Sequence, residues 1–155
     1  MVKWGILVIV FVLGILAYAG FDSLSSYDKE IPFAISGVEL SSPNDRISDD
    51  MIRLYNNSIL LKVENATIAE FTDTNSMDPF IDETANSIEI EPYDLKVGDV
   101  VSYSFEGKKI IHRIVGIQED ELGLYYIMKG DNNQFVDKAR VREEQITGVV
   151  VGVLY

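Results

Sequence analysis

The stretch Val97-Gly98-Asp99-Val100-Val101-Ser102-Tyr103-Ser104-Phe105-Glu106-Gly107-Lys108-Lys109-Ile110-Ile111-His112-Arg113-Ile114-Val115-Gly116-Ile117 decides the fold. Two runs rich in β-branched and aromatic residues flank Glu106-Gly107, a pair suited to a tight reversal, so the spacing predicts a hairpin of strands over 97–105 and 108–117. In the second strand Ile110, His112 and Ile114 share one face, and Ile111, Arg113 and Val115 take the other. Working outward, Ile59, Leu61 and Val63 alternate with Leu60, Lys62 and Glu64 within a strand predicted over 58–70. Residues 122–128 and 146–155 are two more β-rich runs. A single helical turn is predicted over 49–55, with Ser48 placed to cap it. No helical period persists beyond that, so the expected fold is mainly β, a partly closed or coiled antiparallel sheet.

Composition narrows what such a domain does. The chain of 155 residues carries 25 acidic and 13 basic side chains, one His and no Cys. A net charge of −12 disfavours a phosphate-binding surface, so nucleic acid is not an expected partner. The absence of Cys removes disulfides and thiol nucleophiles, and a lone His removes multi-histidine metal centres. The acidity is uneven: residues 21–95 hold 16 acidic and 4 basic side chains, whereas residues 96–155 hold 9 and 8. Asp73, Asp78, Asp82 and Glu83 offer oxygen ligands of the kind calcium takes, but no Gly-centred loop spacing accompanies them. A solvated acidic face is the better reading. No metal and no cofactor is expected.

Residues 4–21 are uncharged and apolar, and eighteen residues as a helix span roughly 27 Å, enough for a bilayer core. Lys3 precedes the segment, and Asp22 and Asp28 follow it, which predicts a cytoplasmic N-terminus and an exported remainder. Ala17-Tyr18-Ala19 also has the form of a signal-peptide cleavage site, but the apolar run is long for a cleaved segment and favours an uncleaved anchor. The expected organisation is therefore an anchor over 1–21, a stalk rich in Ser, Asp and Pro over 22–46, and a β-rich domain over 47–155.

Three local features carry chemistry. Thr74-Asn75-Ser76-Met77-Asp78-Pro79 holds a serine beside a proline that restrains the backbone, and such fixation benefits a nucleophile. His112 on its apolar face is either a satisfied core histidine or a general base suited to neutral pH. Lys129-Gly130-Asp131-Asn132-Asn133-Gln134-Phe135-Val136-Asp137 is either a polar loop or the source of a carboxylate that orients His112. Asp131 and Asp137 both qualify for that task.

Taken in order, Ser76, His112-Arg113, Gly130-Asp131-Asn132, Asp137 and Ile146-Thr147-Gly148-Val149 resemble the signal peptidase I family, in its archaeal and endoplasmic-reticulum type. The resemblance covers about residues 58–155 and the N-terminal anchor. It implies a membrane-anchored serine endopeptidase that removes signal peptides from exported precursors at the outer face of the cell membrane. Bacterial relatives carry Lys where His112 stands, so a Ser-His-Asp apparatus is implied. Ser76 would be the nucleophile and His112 the base, with Asp137 ranked above Asp131 as the orienting carboxylate and Asp131 shaping the loop. The oxyanion would be held by the Ser76 N–H and the Thr74 hydroxyl. The 58–70 strand stands where the substrate would pair by strand addition, and Phe80 and Ile81 are placed to dip into the membrane interface. Phe80 replaces the family's Thr and the Gly-Asp pair comes late, at Gly98-Asp99; both departures bear on substrate choice. They motivate one rival, a peptidase dedicated to a few surface proteins. A second rival is an anchored β-domain without catalysis, which is disfavoured because Ser76, His112 and the acidic partners are all present. Accessory subunits are not legible in the sequence.

Overall fold

A computed structural model describes residues 40–72 and 74–155. The predicted anchor and the stalk as far as residue 39 lie outside the described residues, among which no helix is long and apolar enough to cross a membrane. Nine strands and two short 3-10 turns make up the described fold. Strands β1 (Ile52–Tyr55) and β2 (Ser58–Leu61) form a separate antiparallel hairpin. The others are β3 (Thr67–Glu70), β4 (Asn86–Ile90), β5 (Val100–Phe105), β6 (Lys108–Asp120), β7 (Gly123–Lys129), β8 (Arg140–Val141) and β9 (Ile146–Leu154). They build one seven-stranded antiparallel sheet in the order β3-β4-β9-β5-β6-β7-β8.

The hairpin expected around Glu106-Gly107 is present, joining β5 to β6. Both turn residues have positive φ, 50° and 75°, the geometry whose twist matches the flanking strands. It fixes the register that opposes Val101 to His112 and Tyr103 to Ile110. Cross-strand pairs then run across the sheet on one face: Ile90 with Val149, Val149 with Val101, Val101 with His112. Ile114 with Met128 and Tyr126 with Val141 continue the same apolar cluster. Full burial of such side chains stabilises by about 1.5–3 kcal/mol each. Met77, Ile81, Ala85, Val100 and Val150 form a second cluster. Because neighbours along a strand point to opposite faces, Val100 beside Val101 and Val150 beside Val149 place it across the sheet from the first. Three register shifts, in the β4–β9, β5–β9 and β6–β7 pairings, increase the local twist.

Several expectations are corrected. The strand predicted over 58–70 is two, β2 and β3, separated by a turn in which Asn65 takes a φ of 53°. β2 pairs with β1, and only β3 joins the large sheet, at its edge. The helical turn predicted over 49–55 shrinks to a 3-10 turn, Asp49–Met51, whose Ser48 side chain makes no capping bond. There the β-branched and aromatic residues from Ile52 onward win as a strand. Ile81, expected at a membrane interface, is only 3% exposed inside the second cluster, whereas Phe80 beside it is exposed.

Asn44 and Arg46, at the end of the predicted stalk, are tied to the sheet. Arg46 Nη2 meets Asp99 Oδ2 at 2.7 Å with both side chains buried, and its guanidinium also donates to the Tyr93 and Asp94 carbonyls. The Asn44 and Lys96 N–H groups bond the same carboxylate. Removing one partner of a buried pair strands the other charge, so Asp99→Ala is expected to destabilise by about 3–5 kcal/mol in denaturant titration. A loss below about 1 kcal/mol would show that the pair does not hold this segment.

Candidate active site

Ser76 sits in the turn that follows edge strand β3. Met77, 2% exposed, is driven into the second cluster and pins the segment. Its carbonyl accepts the Phe80 and Ile81 N–H groups at 3.0 Å. Asn75 takes a φ of 52°, a region Asn tolerates better than most residues, and Thr74 Oγ1 and Ser76 Oγ lie 3.2 Å apart on either side of it. The Asp78–Pro79 peptide is cis.

The segment after β7 folds against this turn. The Asn132 N–H donates to the Ser76 carbonyl at 3.0 Å, and Asn132 Nδ2 donates to the Asn75 carbonyl at 2.9 Å. Gly130 permits the approach, since a Cβ there would lie 2.4 Å from the Ser76 carbonyl oxygen. The Asp137 N–H returns to the Met128 carbonyl at 2.8 Å, which fixes that residue beside the end of β7.

His112 is buried, and its Nδ1 lies 2.6 Å from Asp137 Oδ2. A carboxylate only accepts, so this contact assigns the proton to Nδ1 and leaves Nε2 as the basic nitrogen of neutral imidazole. The Tyr103 hydroxyl donates to the same Oδ2 at 2.6 Å. Burial pushes the Asp137 carboxyl up, but the bonds from His112 and Tyr103 outweigh it and hold the group below the usual carboxylate range. Asp131 is engaged elsewhere. Its two oxygens take Arg113 Nε at 2.8 Å and Nη2 at 2.6 Å, while Arg113 Nη1 donates to the Gly98 carbonyl. Of the two carboxylates left open by the sequence, Asp137 meets the imidazole and Asp131 braces the neighbouring arginine.

Ser76, Thr74 and His112 line one cavity of about 380 Å³. Ala69, Phe71, Met77, Ile81, Ile110 and Ile111 make its wall largely apolar, and Glu70, Asp82, Ser102 and Lys109 add polar groups. No hydrogen bond joins Ser76 to His112 among the described residues; the serine hydroxyl is engaged by Thr74. Catalytic hydrogen bonds are often long or poorly aligned before substrate binds and tighten in the complex. Of the acidic residues around Ser76, Asp73 lies outside the described residues, and Asp82 Oδ1 takes the Glu83 N–H at 2.7 Å. Among the described residues no cluster of three or more metal-ligating side chains occurs.

Sequence reasoning missed Tyr103. Its signal was parity: Tyr103 lies two residues beyond Val101, the partner of His112, and therefore on the face of the imidazole.

No protein-family model matches the chain. It is 45% identical over 53 residues to the signal peptidase complex catalytic subunit of Dictyostelium discoideum, an alignment covering 32% of this chain and 30% of the relative. It is 39% identical over 66 residues to the subunit of the same name in Schizosaccharomyces pombe, covering 36% and 35%. The chain thus spans about a third of the length of the curated relatives it matches. These similarities and the ordered boxes around Ser76, His112 and Gly130-Asp131-Asn132 agree, and the chain resembles the signal peptidases of the endoplasmic-reticulum type.

Proposed function

We propose that the protein is a membrane-anchored serine endopeptidase that removes signal peptides from exported precursors. The observation that carries this reading is that His112, bonded to Asp137, lines the same largely apolar cavity as Ser76. A Ser-His-Asp set needs a nucleophile, a base of fixed tautomer and a carboxylate that stabilises the imidazolium. Similarity to two proteins named as catalytic subunits of signal peptidase supports the same substrate class.

In this mechanism an extended precursor segment pairs with edge strand β3 and lays its side chains into the cavity. Water is expelled, and the Ser76 hydroxyl turns from Thr74 towards His112 Nε2. Ser76 Oγ attacks the scissile carbonyl as Nε2 takes its proton, and Asp137 stabilises the imidazolium. The Ser76 N–H and the freed Thr74 hydroxyl hold the oxyanion; loss of one such donor costs about 3 kcal/mol of transition-state stabilisation. His112 then gives its proton to the leaving amine. A water molecule, activated by the same nitrogen, releases the signal peptide from Ser76. Residues 4–21 would hold enzyme and precursor in one membrane plane and raise their effective concentration, with the domain on the outer face.

The test is direct. The full chain in lipid or detergent is incubated with a signal-peptide-bearing precursor, and the new N-terminus is sequenced. One defined cut is expected, and no cut in any of a panel of precursors would overturn the reading. Gly130→Ala probes the coupling between the two loops. Its Cβ would displace the Ser76 carbonyl, and a shift of about 1 Å in a nucleophile lowers kcat on the order of a hundredfold. Unchanged kcat in Gly130→Ala would mean that the close approach does not position Ser76.

A further inference from the structure

The Asp137 carboxylate receives two donors on one oxygen, and only one of them belongs to the apparatus described above. Oδ2 takes His112 Nδ1 and the Tyr103 hydroxyl, each at 2.6 Å, while no hydrogen bond is made to Oδ1 among the described residues. Tyr103 is 1% exposed, rooted in the first apolar cluster on β5, one of the sheet's inner strands. Its ring stands 6.4 Å from the imidazole, tilted at 57°. Asp137, by contrast, comes from an irregular segment, with 18% of its side chain exposed. A carboxylate on such a segment is free to rotate unless something rigid holds it. The strand-borne phenol supplies that hold, and burial together with the adjacent carboxylate keeps the phenol protonated well above its ordinary range.

We infer that Tyr103 is a positioning residue of the site: it clamps Asp137 Oδ2 from within the sheet and thereby fixes the orientation of His112. This rests on the Ser76–His112–Asp137 reading proposed above and adds a fourth group to it. Tyr103 does not line the cavity, so it acts through Asp137 and not on substrate. The other charged groups on the cavity wall beside His112 are Glu70, Asp82 and Lys109. Arg113, next along β6, is held by Asp131. None of these bonds the imidazole.

Two consequences separate this role from simple packing. Tyr103→Phe keeps the ring and removes only the hydroxyl that donates to Asp137. A hydrogen bond to a charged group corresponds to about a 10- to 100-fold effect, so kcat is expected to fall by that factor with KM unchanged. A carboxylate relieved of one donor also stabilises the imidazolium more, so the imidazole titrates at higher pH than in the wild type. The chain has one histidine, which makes its nuclear magnetic resonance titration unambiguous and independent of cleavage.

The experiment measures that titration and the kinetics of Tyr103→Phe beside the wild-type full chain in detergent. A fall in kcat at constant KM together with an upward titration is the expected result. An unmoved titration, or kcat within about twofold of wild type, would overturn the inference. Should Tyr103→Phe not fold, 3-fluorotyrosine at position 103 keeps the shape and strengthens the donor, and the titration should then move to lower pH; no movement overturns the inference. If the wild-type chain cleaves nothing, the proposed function fails, while the titration still decides whether Tyr103 governs His112 through Asp137.

Discussion

Ser76→Ala should abolish precursor cleavage, lowering kcat by at least about a thousandfold, and leave the fold intact. The size of the effect follows from the proposed mechanism: without Oγ no acyl intermediate would form, and the His112–Asp137 pair would have no proton to move. The silence in stability follows from structure. Ser76 Oγ makes one bond, at 3.2 Å, to the exposed Thr74 hydroxyl, and the turn is held by Met77 and by backbone bonds to Asn132. A substitution that removes so little is expected to change stability by less than about 0.5 kcal/mol. Cleavage and melting temperature measured on one preparation separate the two statements. Activity retained in Ser76→Ala would place the nucleophile elsewhere.

The second large effect distinguishes the two carboxylates. Asp137→Asn should lower kcat by about ten-thousandfold, because an amide facing Nδ1 no longer enforces the tautomer with Nε2 free. Asp131→Asn should act through folding. Arg113 is 7% exposed and rests on both Asp131 oxygens, so halving that acceptor leaves a buried charge poorly matched, at a cost of about 3–5 kcal/mol if the pair breaks. Kinetics on the folded fraction, with denaturant titrations alongside, tell the variants apart. Asp137→Asn with wild-type kcat would remove it from the apparatus.

Asp137 also leaves a mark on acid stability. Its folded-state pKa is depressed, so its contribution is present above the unfolded carboxylate value, about 3.9, and is lost as pH falls through the lower folded value. As pH falls below about 4, melting temperature should therefore drop less steeply in Asp137→Asn than in the wild type. Equal slopes would mean that the carboxylate gains nothing from His112 and Tyr103.

The sheet was legible where local pattern and tertiary demand agree. Glu106-Gly107 between two β-branched runs could only be a hairpin, and it fixed the register that sets His112 opposite Val101. The strand Asn86–Ile90 was not legible. Its Ser87 and Glu89 are polar yet both are buried, because Glu89 accepts the Ser87 and Ser102 hydroxyls. Polar residues satisfied by one another leave no hydrophobic alternation to detect. The same limit hid Tyr103, whose partner lies 34 residues away in a loop. Ser76, His112 and the two aspartates were readable as residue types in order. The residues alone left both aspartates open and only the resemblance ranked Asp137 first, since the contact depends on Arg113 capturing Asp131.

One measurement bears most directly on the claim that Ser76 is the nucleophile of a precursor-cleaving site. A peptide corresponding to the signal-peptide side of the cut, ending in a boronic acid, is incubated with the full chain in detergent, and the adduct is mapped by mass spectrometry. The expected result is a single adduct on Ser76 that forms with loss of cleavage and is absent from Ser76→Ala. Cleavage that continues with Ser76 unmodified, or an adduct on another residue that accounts for the inhibition, would contradict it.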